Sequence, residues 1–305
     1  MDIVVFGAGA LGSLVGGALA REHAVTLVGR NPHVARIRDR GLRLSGELDA
    51  TVRPDAGTDL GTVDADLALV TVKSYDTSAA AAALAAPDVD VDLVCSLQNG
   101  LTEEELRAEL DDRVLAGTAT YGAELVEPGH VRCTGVGRIH VGELDGGASD
   151  RAERVAAAFR AAGLDCEADP AMARRRFEKL AVNAGINAVT ALARVRNGAL
   201  AEPPAGDLAE RAARETARAA RAEGVDLGDD DAVAALRAVV DETAANRSSM
   251  SQDVDAGRRT EVDAINGAVL ARGDAAGVSV PTNRTLAALV RTWEAERDLR
   301  PADSS

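Results

Sequence analysis

Residues 2–6, Asp-Ile-Val-Val-Phe, read as a short buried strand, and Gly7-Ala8-Gly9-Ala10-Leu11-Gly12 follows at once, opening a run of helical character to about Arg21. Glycines at this spacing between a strand and a helix leave a chain few folds to choose from. Gly7 makes the tight turn, Gly9 lets a pyrophosphate approach the backbone, and Gly12 lets helix and strand pack closely. The phosphates would meet the free N–H groups of the first helical turn, around Ala10, Leu11 and Gly12. The next strand, Ala24 to Val28, ends in Gly29-Arg30. A sheet that prefers NAD usually carries an acid there for the ribose 2′-hydroxyl, whereas an arginine would pair with a 2′-phosphate. The expected cofactor is therefore NADP(H), with Arg30 on its phosphate.

The rest of the first half continues the strand and helix alternation. Strands are expected at 66–72, 91–97 and 114–120, with two short β segments near 130–133 and 138–142 around a Gly-rich turn and 164–168 closing the sheet. Lys73 stands at the C-terminal end of one of them, where ligands bind in open α/β sheets. Residues 34–65 hold a short helix, a hairpin-like stretch from Leu42 to Val52 and an acidic turn. Thr102-Glu103-Glu104-Glu105 has the form of a capping box. From Pro170 the alternation stops, and helices are expected near 171–193, 207–223, 230–245, 246–256, 258–276 and 282–298. The expected fold is thus α/β: an N-terminal, Rossmann-type doubly wound sheet over 1–168 as the NADP-binding domain, then an all-helical substrate-binding domain over 169–305, its last residues from Pro301 a frayed tail.

Charge narrows the range of partners. A net charge of −15 argues against nucleic acid and against anionic membrane. Ile3 to Ala20 is uncharged, but Asp2 stands where a signal peptide needs a basic residue, and glycines break the run, so a cytoplasmic protein is expected. Cys95, Cys133 and Cys166 lack metal spacing and lie in apolar runs, the pattern of buried free thiols in a reducing compartment. Of 34 Lys plus Arg, only Lys73 and Lys179 are lysine. Acidic excess with alanine and arginine in abundance suggests a salt-loving source with GC-rich DNA. Two positions that stay lysine in that background point to lysine chemistry rather than charge alone. Lys179, Asn183 and Asn187 stand four apart, and each step of four drifts only about 40° around a helix, so the three share a face.

These residues together carry a resemblance. Gly7-x-Gly9-x-x-Gly12, Val72-Lys73, Gln98-Asn99-Gly100, Lys179-x3-Asn183-x3-Asn187 and Asn197-Gly198 are its first parts. Asn246-Arg-Ser-Ser249-Met-x-Gln252-Asp253 and Arg259-Thr260-Glu261-Val-Asp-x-Ile-Asn266-Gly267 complete it. Over nearly its whole length the chain resembles the ketopantoate reductase family, NADPH enzymes that reduce 2-dehydropantoate to pantoate for pantothenate and coenzyme A. The resemblance implies Lys179 as general acid and Glu261 as anchor of the substrate hydroxyl, helped by Asn183 and Asn187. It implies Asn246 and Ser249 on the substrate carboxylate and neighbouring atoms, with Asn197 in the same site, and Lys73 and Asn99 at the nicotinamide end. Asp76 departs from the pattern, standing where some members carry Gln beside the adenine. The family and the composition together suggest a halophilic archaeon, and they leave a homodimer open. Two other readings stay open: another two-domain NAD(P) dehydrogenase of hydroxyacid or glycerol-phosphate type, and a dinucleotide-binding protein without catalysis.

Overall fold

A computed structural model describes residues 1–300, so the tail expected from Pro301 lies outside the described residues. The chain divides into two units, one of residues 1–98 and 102–173, the other of 99–101 and 174 onward. In the first unit the elements run β1 (Asp2–Phe6), α1 (Ala10–Leu19), β2 (Ala24–Val28), α2 (His33–Arg40), β3 (Leu42–Gly46), β4 (Ala50–Val52), β5 (Asp55–Gly57) and β6 (Val63–Val70). They continue with α3 (Thr77–Leu84), β7 (Val89–Ser96), α4 (Glu103–Leu110), β8 (Val114–Ala119), β9 (Gly122–Glu127), β10 (His130–Gly135), β11 (Ile139–Gly142), α5 (Asp150–Ala161) and β12 (Cys166–Ala168).

Eight strands form one sheet in the order β12-β11-β8-β7-β6-β1-β2-β5. Its neighbours are parallel except β11 with β8. Successive side chains on a strand face opposite ways, and the apolar runs are long enough to fill both faces. Ile3, Val5, Leu67, Leu69, Leu93 and Cys95 join one core with Leu14 of α1, Ile37 of α2 and Phe159 of α5. Val4, Ala68, Val70 and Val94 join another with Leu84 of α3 and Leu106 of α4. The sheet is doubly wound, as expected. Strand order reverses between β1 and β6, the switch point at which such sheets bind ligands beyond the strands' C-terminal ends.

Three local expectations change. The acidic turn contains β5, which pairs with β2 at the sheet edge. Strand β9 escapes the periodic pattern because Leu125 and Val126, at 42% and 40% exposed, lie on the edge of a second sheet ordered β4-β3-β10-β9. Thr102 does not cap α4: its hydroxyl donates to Gln98 Oε1 at 3.0 Å, and no side-chain cap bond forms.

The second unit is helical: α6 (Met172–Ala193), α7 (Ala205–Ala222), α8 (Asp229–Glu242), α9 (Ser249–Asp255), α10 (Ala268–Ala276) and α11 (Pro281–Ala295). With few aromatics, its helices pack through small residues. Ala209, Ala212, Ala213, Ala217 and Ala220 of α7 are buried, and a Cβ on Gly185 of α6 would lie 2.8 Å from Ala209 O. Buried Glu215 of α7 caps α11, accepting the N–H groups of Thr282 and Asn283 at 2.9 Å each. The helix expected over 258–276 is broken. Residues 258–260 are irregular and 263–267 form a π turn closed by Gly267 N–H to Val262 O at 2.9 Å, leaving only α10 as regular helix. Thr260 gives its N–H to the side chain of Glu294 instead of to a helix. Among the described residues no helix is long and apolar enough to cross a membrane.

Candidate active site

In the first unit the Gly-rich turn closes on the neighbouring strand end. Gly7 has φ +119, and a Cβ on it would lie 2.4 Å from Val72 N, a position only glycine can fill. Thr71 Oγ1 donates to Gly7 O at 2.8 Å, and the N–H groups of Gly7 and Ala8 both donate to Val28 O. Gly9 faces open space, with nothing nearer to an added Cβ than Gly7 O at 3.9 Å. Helix α1 begins at Ala10 with no side-chain cap and no acid in its first turn. The N–H groups of Ala10, Leu11 and Gly12 thus form an uncapped positive helix end beside an open approach, which suits a pyrophosphate.

Arg30 lies just past β2 with its side chain 85% exposed, and its Nη2 pairs with Asp76 Oδ2 at 2.9 Å. An exposed pair of this kind is worth roughly 0.2–1 kcal/mol, too little to hold Arg30 against a phosphate dianion. Lys73 is half-buried beyond the C-terminal end of β6, in extended backbone ahead of a 3₁₀ turn. Gln98, a motif residue to which the sequence assigned no role, binds the strand ends together. Its amide donates to Val72 O and Thr77 Oγ1, and its Oε1 accepts from Ser96 and Thr102.

In the second unit Gly100 is the counterpart of Gly7. Its φ is +92, and a Cβ there would lie 2.3 Å from Ala264 O. That close approach sets Asn99 against the bend before the π turn. Asn99 Nδ2 donates to Glu261 Oε2 at 3.0 Å, and Asn183 Nδ2 donates to Asn99 Oδ1 at 3.4 Å. Residues from three distant stretches are thereby joined in one polar group. Lys179 is half-buried one turn before Asn183 on α6, and Asn187, 4% exposed, is one turn after it. Glu261 is buried and lies in irregular backbone, not on the helix expected there. Asn266, another motif residue without a predicted role, ties the π turn to α6, its amide donating to Ala184 O at 3.1 Å and to Asn283 Oδ1 at 3.0 Å.

Asn197, Asn246 and Ser249 form a second group. Asn197 is buried, donates its N–H to Asn246 O at 3.0 Å and its amide to Thr243 Oγ1 at 2.9 Å, and leaves its Oδ1 without a partner. Asn246 and Ser249 are exposed on either side of the start of α9. Neither is the cap, which is Ser248, accepting from Ser251 N–H at 3.1 Å. Ser248 also meets Thr190 of α6 hydroxyl to hydroxyl at 2.7 Å, so this group is pinned to the helix that carries Lys179. The sequence carried no signal for Thr190 or Ser248 beyond the serine run itself.

Comparison with known proteins agrees in all parts of the chain. The family described as ketopantoate reductase PanE/ApbA matches residues 3–146, and its C-terminal counterpart matches residues 171–294. The 2-dehydropantoate 2-reductase of Halobacterium salinarum is 47% identical, over 98% of this chain and 100% of its own. Among solved structures, the PanE/ApbA family ketopantoate reductase of Ralstonia eutropha superposes with a TM-score of 0.87 at 36% identity, covering 98% of this chain and 100% of that one. A D-mandelate dehydrogenase solved with NADH and anilino(oxo)acetate superposes with a TM-score of 0.90 at 25% identity, covering 98% and 100%.

Proposed function

This chain belongs to the ketopantoate reductase family, and from that premise we propose that it reduces 2-dehydropantoate to pantoate with NADPH, a cytoplasmic step toward pantothenate and coenzyme A. The observation that carries the reading is the hydrogen-bonded group Asn183–Asn99–Glu261, joined through Asn183 to the helix of Lys179. The first unit suits the cofactor by its own features: the uncapped start of α1, the open side of Gly9 and the exposed guanidinium of Arg30.

When bound, NADPH supplies the hydride that reduces the 2-oxo carbon. Lys179 meets the negative charge that then gathers on the oxo oxygen and gives that oxygen its proton from Nζ. Asn183 and Asn187, on the same helix face, donate amide hydrogens to the substrate's oxygens. Glu261 accepts the substrate's hydroxyl hydrogen, a use for a carboxylate in a site that must otherwise welcome an anion. Asn246 and Ser249 donate to the substrate carboxylate, and Asn197 holds the Asn246 backbone. Lys73 and Asn99 serve the nicotinamide end, and Arg30 the 2′-phosphate.

A second reading, an NADH-dependent reductase of another 2-oxo acid, has specific support in the likeness to D-mandelate dehydrogenase and in the acid beside Arg30. One experiment separates the two: oxidation of NADPH and NADH in high KCl with a panel of 2-oxo acids, ketopantoate and phenylglyoxylate among them. The proposal expects the highest kcat/KM for ketopantoate with NADPH. A panel in which another acid outruns it tenfold would overturn the substrate, and NADPH binding without turnover of any acid would overturn catalysis.

A further inference from the structure

Glu294, the last acid of α11, is fully buried, and its bonds run toward the segment that carries Glu261. Its Oε1 accepts both the N–H of Thr260, at 2.7 Å, and the hydroxyl of Thr260, at 2.6 Å. Thr260 Oγ1 in turn accepts the N–H of Val262 at 3.2 Å. The other oxygen of Glu294 accepts from Arg300 at 2.7 Å, and Arg300 reaches on to Asp263 at 2.9 Å. Asp263 also accepts from Arg291 at 2.8 Å, and although partial desolvation opposes it, these guanidinium groups hold its carboxyl below its ordinary value. Residues 260, 262 and 263 are each gripped in this way, and Glu261 lies among them.

We propose that Glu294 and Thr260 are positioning residues for Glu261, holding its carboxylate where a substrate hydroxyl is read; the proposal rests on the function assigned above. Two physical arguments favour positioning over simple stabilisation. Replacing an ion pair that holds a buried charge by apolar residues is often neutral or stabilising, so the pairing of buried Glu294 with part-exposed Arg300 is weak as a stability device and suited to imposing geometry. The contrast with Glu215 points the same way: that buried carboxylate caps the N-terminus of α11, whereas Glu294 lies at the other end of the helix and satisfies no N–H of it. What Glu294 satisfies is the backbone of the residue before Glu261, and by doing so it keeps that stretch out of the helix its sequence would otherwise continue.

The test compares ketopantoate with 2-oxo-3,3-dimethylbutanoate, which lacks the hydroxyl, and reads the ratio of their kcat/KM values. Thr260→Val should lower that ratio about fivefold, the size of one ordinary hydrogen bond, while Thr260→Ser, which keeps the hydroxyl, should leave it nearly unchanged. Glu294→Gln should lower it as well. On a Glu261→Ala background Thr260→Val should have no further effect on the ratio. A folded Thr260→Val that loses rate equally on both acids, with Glu261→Ala selective, would overturn the proposal. If Glu261→Ala is itself unselective, or wild type reduces neither acid, the functional reading fails, and hydrogen exchange of the amides in 259–267 decides the positioning on its own. The grip predicts exchange faster by about tenfold in Thr260→Val and not in Thr260→Ser; equal exchange in both would overturn it.

Discussion

Lys179 is one of two lysines in a chain whose other basic residues are all arginine, so Lys179→Arg is the replacement its own composition would favour. It should nonetheless disable the enzyme. Arginine keeps the charge but gives up no proton near neutrality, since its pKa lies above about 12. Loss of a positioned general acid costs about 10²–10⁴ in rate, and the loss should fall on kcat with NADPH affinity nearly intact. A folded Lys179→Arg within a few-fold of wild type would reduce Lys179 to a charge. Arg30→Asp should weaken NADPH selectively, because a pair is replaced by a repulsion. Asp76→Asn frees Arg30 from a contact of 2.9 Å and should raise the preference for NADPH over NADH, by about two- to fivefold given what such exposed pairs contribute. Steady-state kinetics with both cofactors reads the two variants together, and equal efficiency with NADPH and NADH in wild type would remove the role of Arg30.

Helix α2 holds a titration that its sequence does not advertise. His33 is buried, its Nδ1 accepting Gly129 N–H at 3.0 Å and its Nε2 at 2.9 Å from Ser13 Oγ. Burial holds its pKa below the ordinary 6.5. The unfolded chain therefore takes up a proton there before the folded chain does, and stability falls as pH drops below 6.5 toward the folded value. Melting temperature should decline between neutral pH and pH 5, and less steeply in His33→Gln; parallel declines would acquit His33. Elements differ in how far they could be read in advance, for a physical reason. The Gly7 turn, the β1 and β6 strands and the Lys179 face of α6 are legible because spacing within one segment decides them. Thr102 looked like a cap because Glu105 stood at the right distance, but Gln98 competes for its hydroxyl. The stretch from Arg258 to Gly267 looked helical because the partner that draws Thr260 aside, Glu294, is 34 residues further on. Glu261 was picked out by its motif, while its setting depends on a contact that no local window contains.

At the scale of the whole molecule, a net charge of −15 makes the surface repel itself. The Debye length falls from about 10 Å at 0.1 M salt to about 3 Å at 1 M, so added KCl should relieve that repulsion. Exposed pairs such as Arg132–Glu124 would weaken too, but each contributes little, and buried Glu294 with Arg300 is screened far less. Melting temperature and activity should therefore rise with KCl, in keeping with the 47% identity to a Halobacterium salinarum protein. A melt that is flat from low to molar KCl would count against a halophilic chain. The three cysteines set no redox limit on such measurements: all are free and buried, and burial pushes Cys166 up to about 12.

The chain passes from one unit to the other after Gln98, returns after Leu101 and passes over again after Ala173. Two related genes that recombined near residue 174 would exchange the helical half without Asn99, and Glu261 and Asn183 would inherit whatever amide the other parent had placed at the end of β7. The halves are therefore poor candidates for shuffling as cassettes. A change made in the helical half at Glu261 or Asn183 is felt by a three-residue piece of the first half of the sequence.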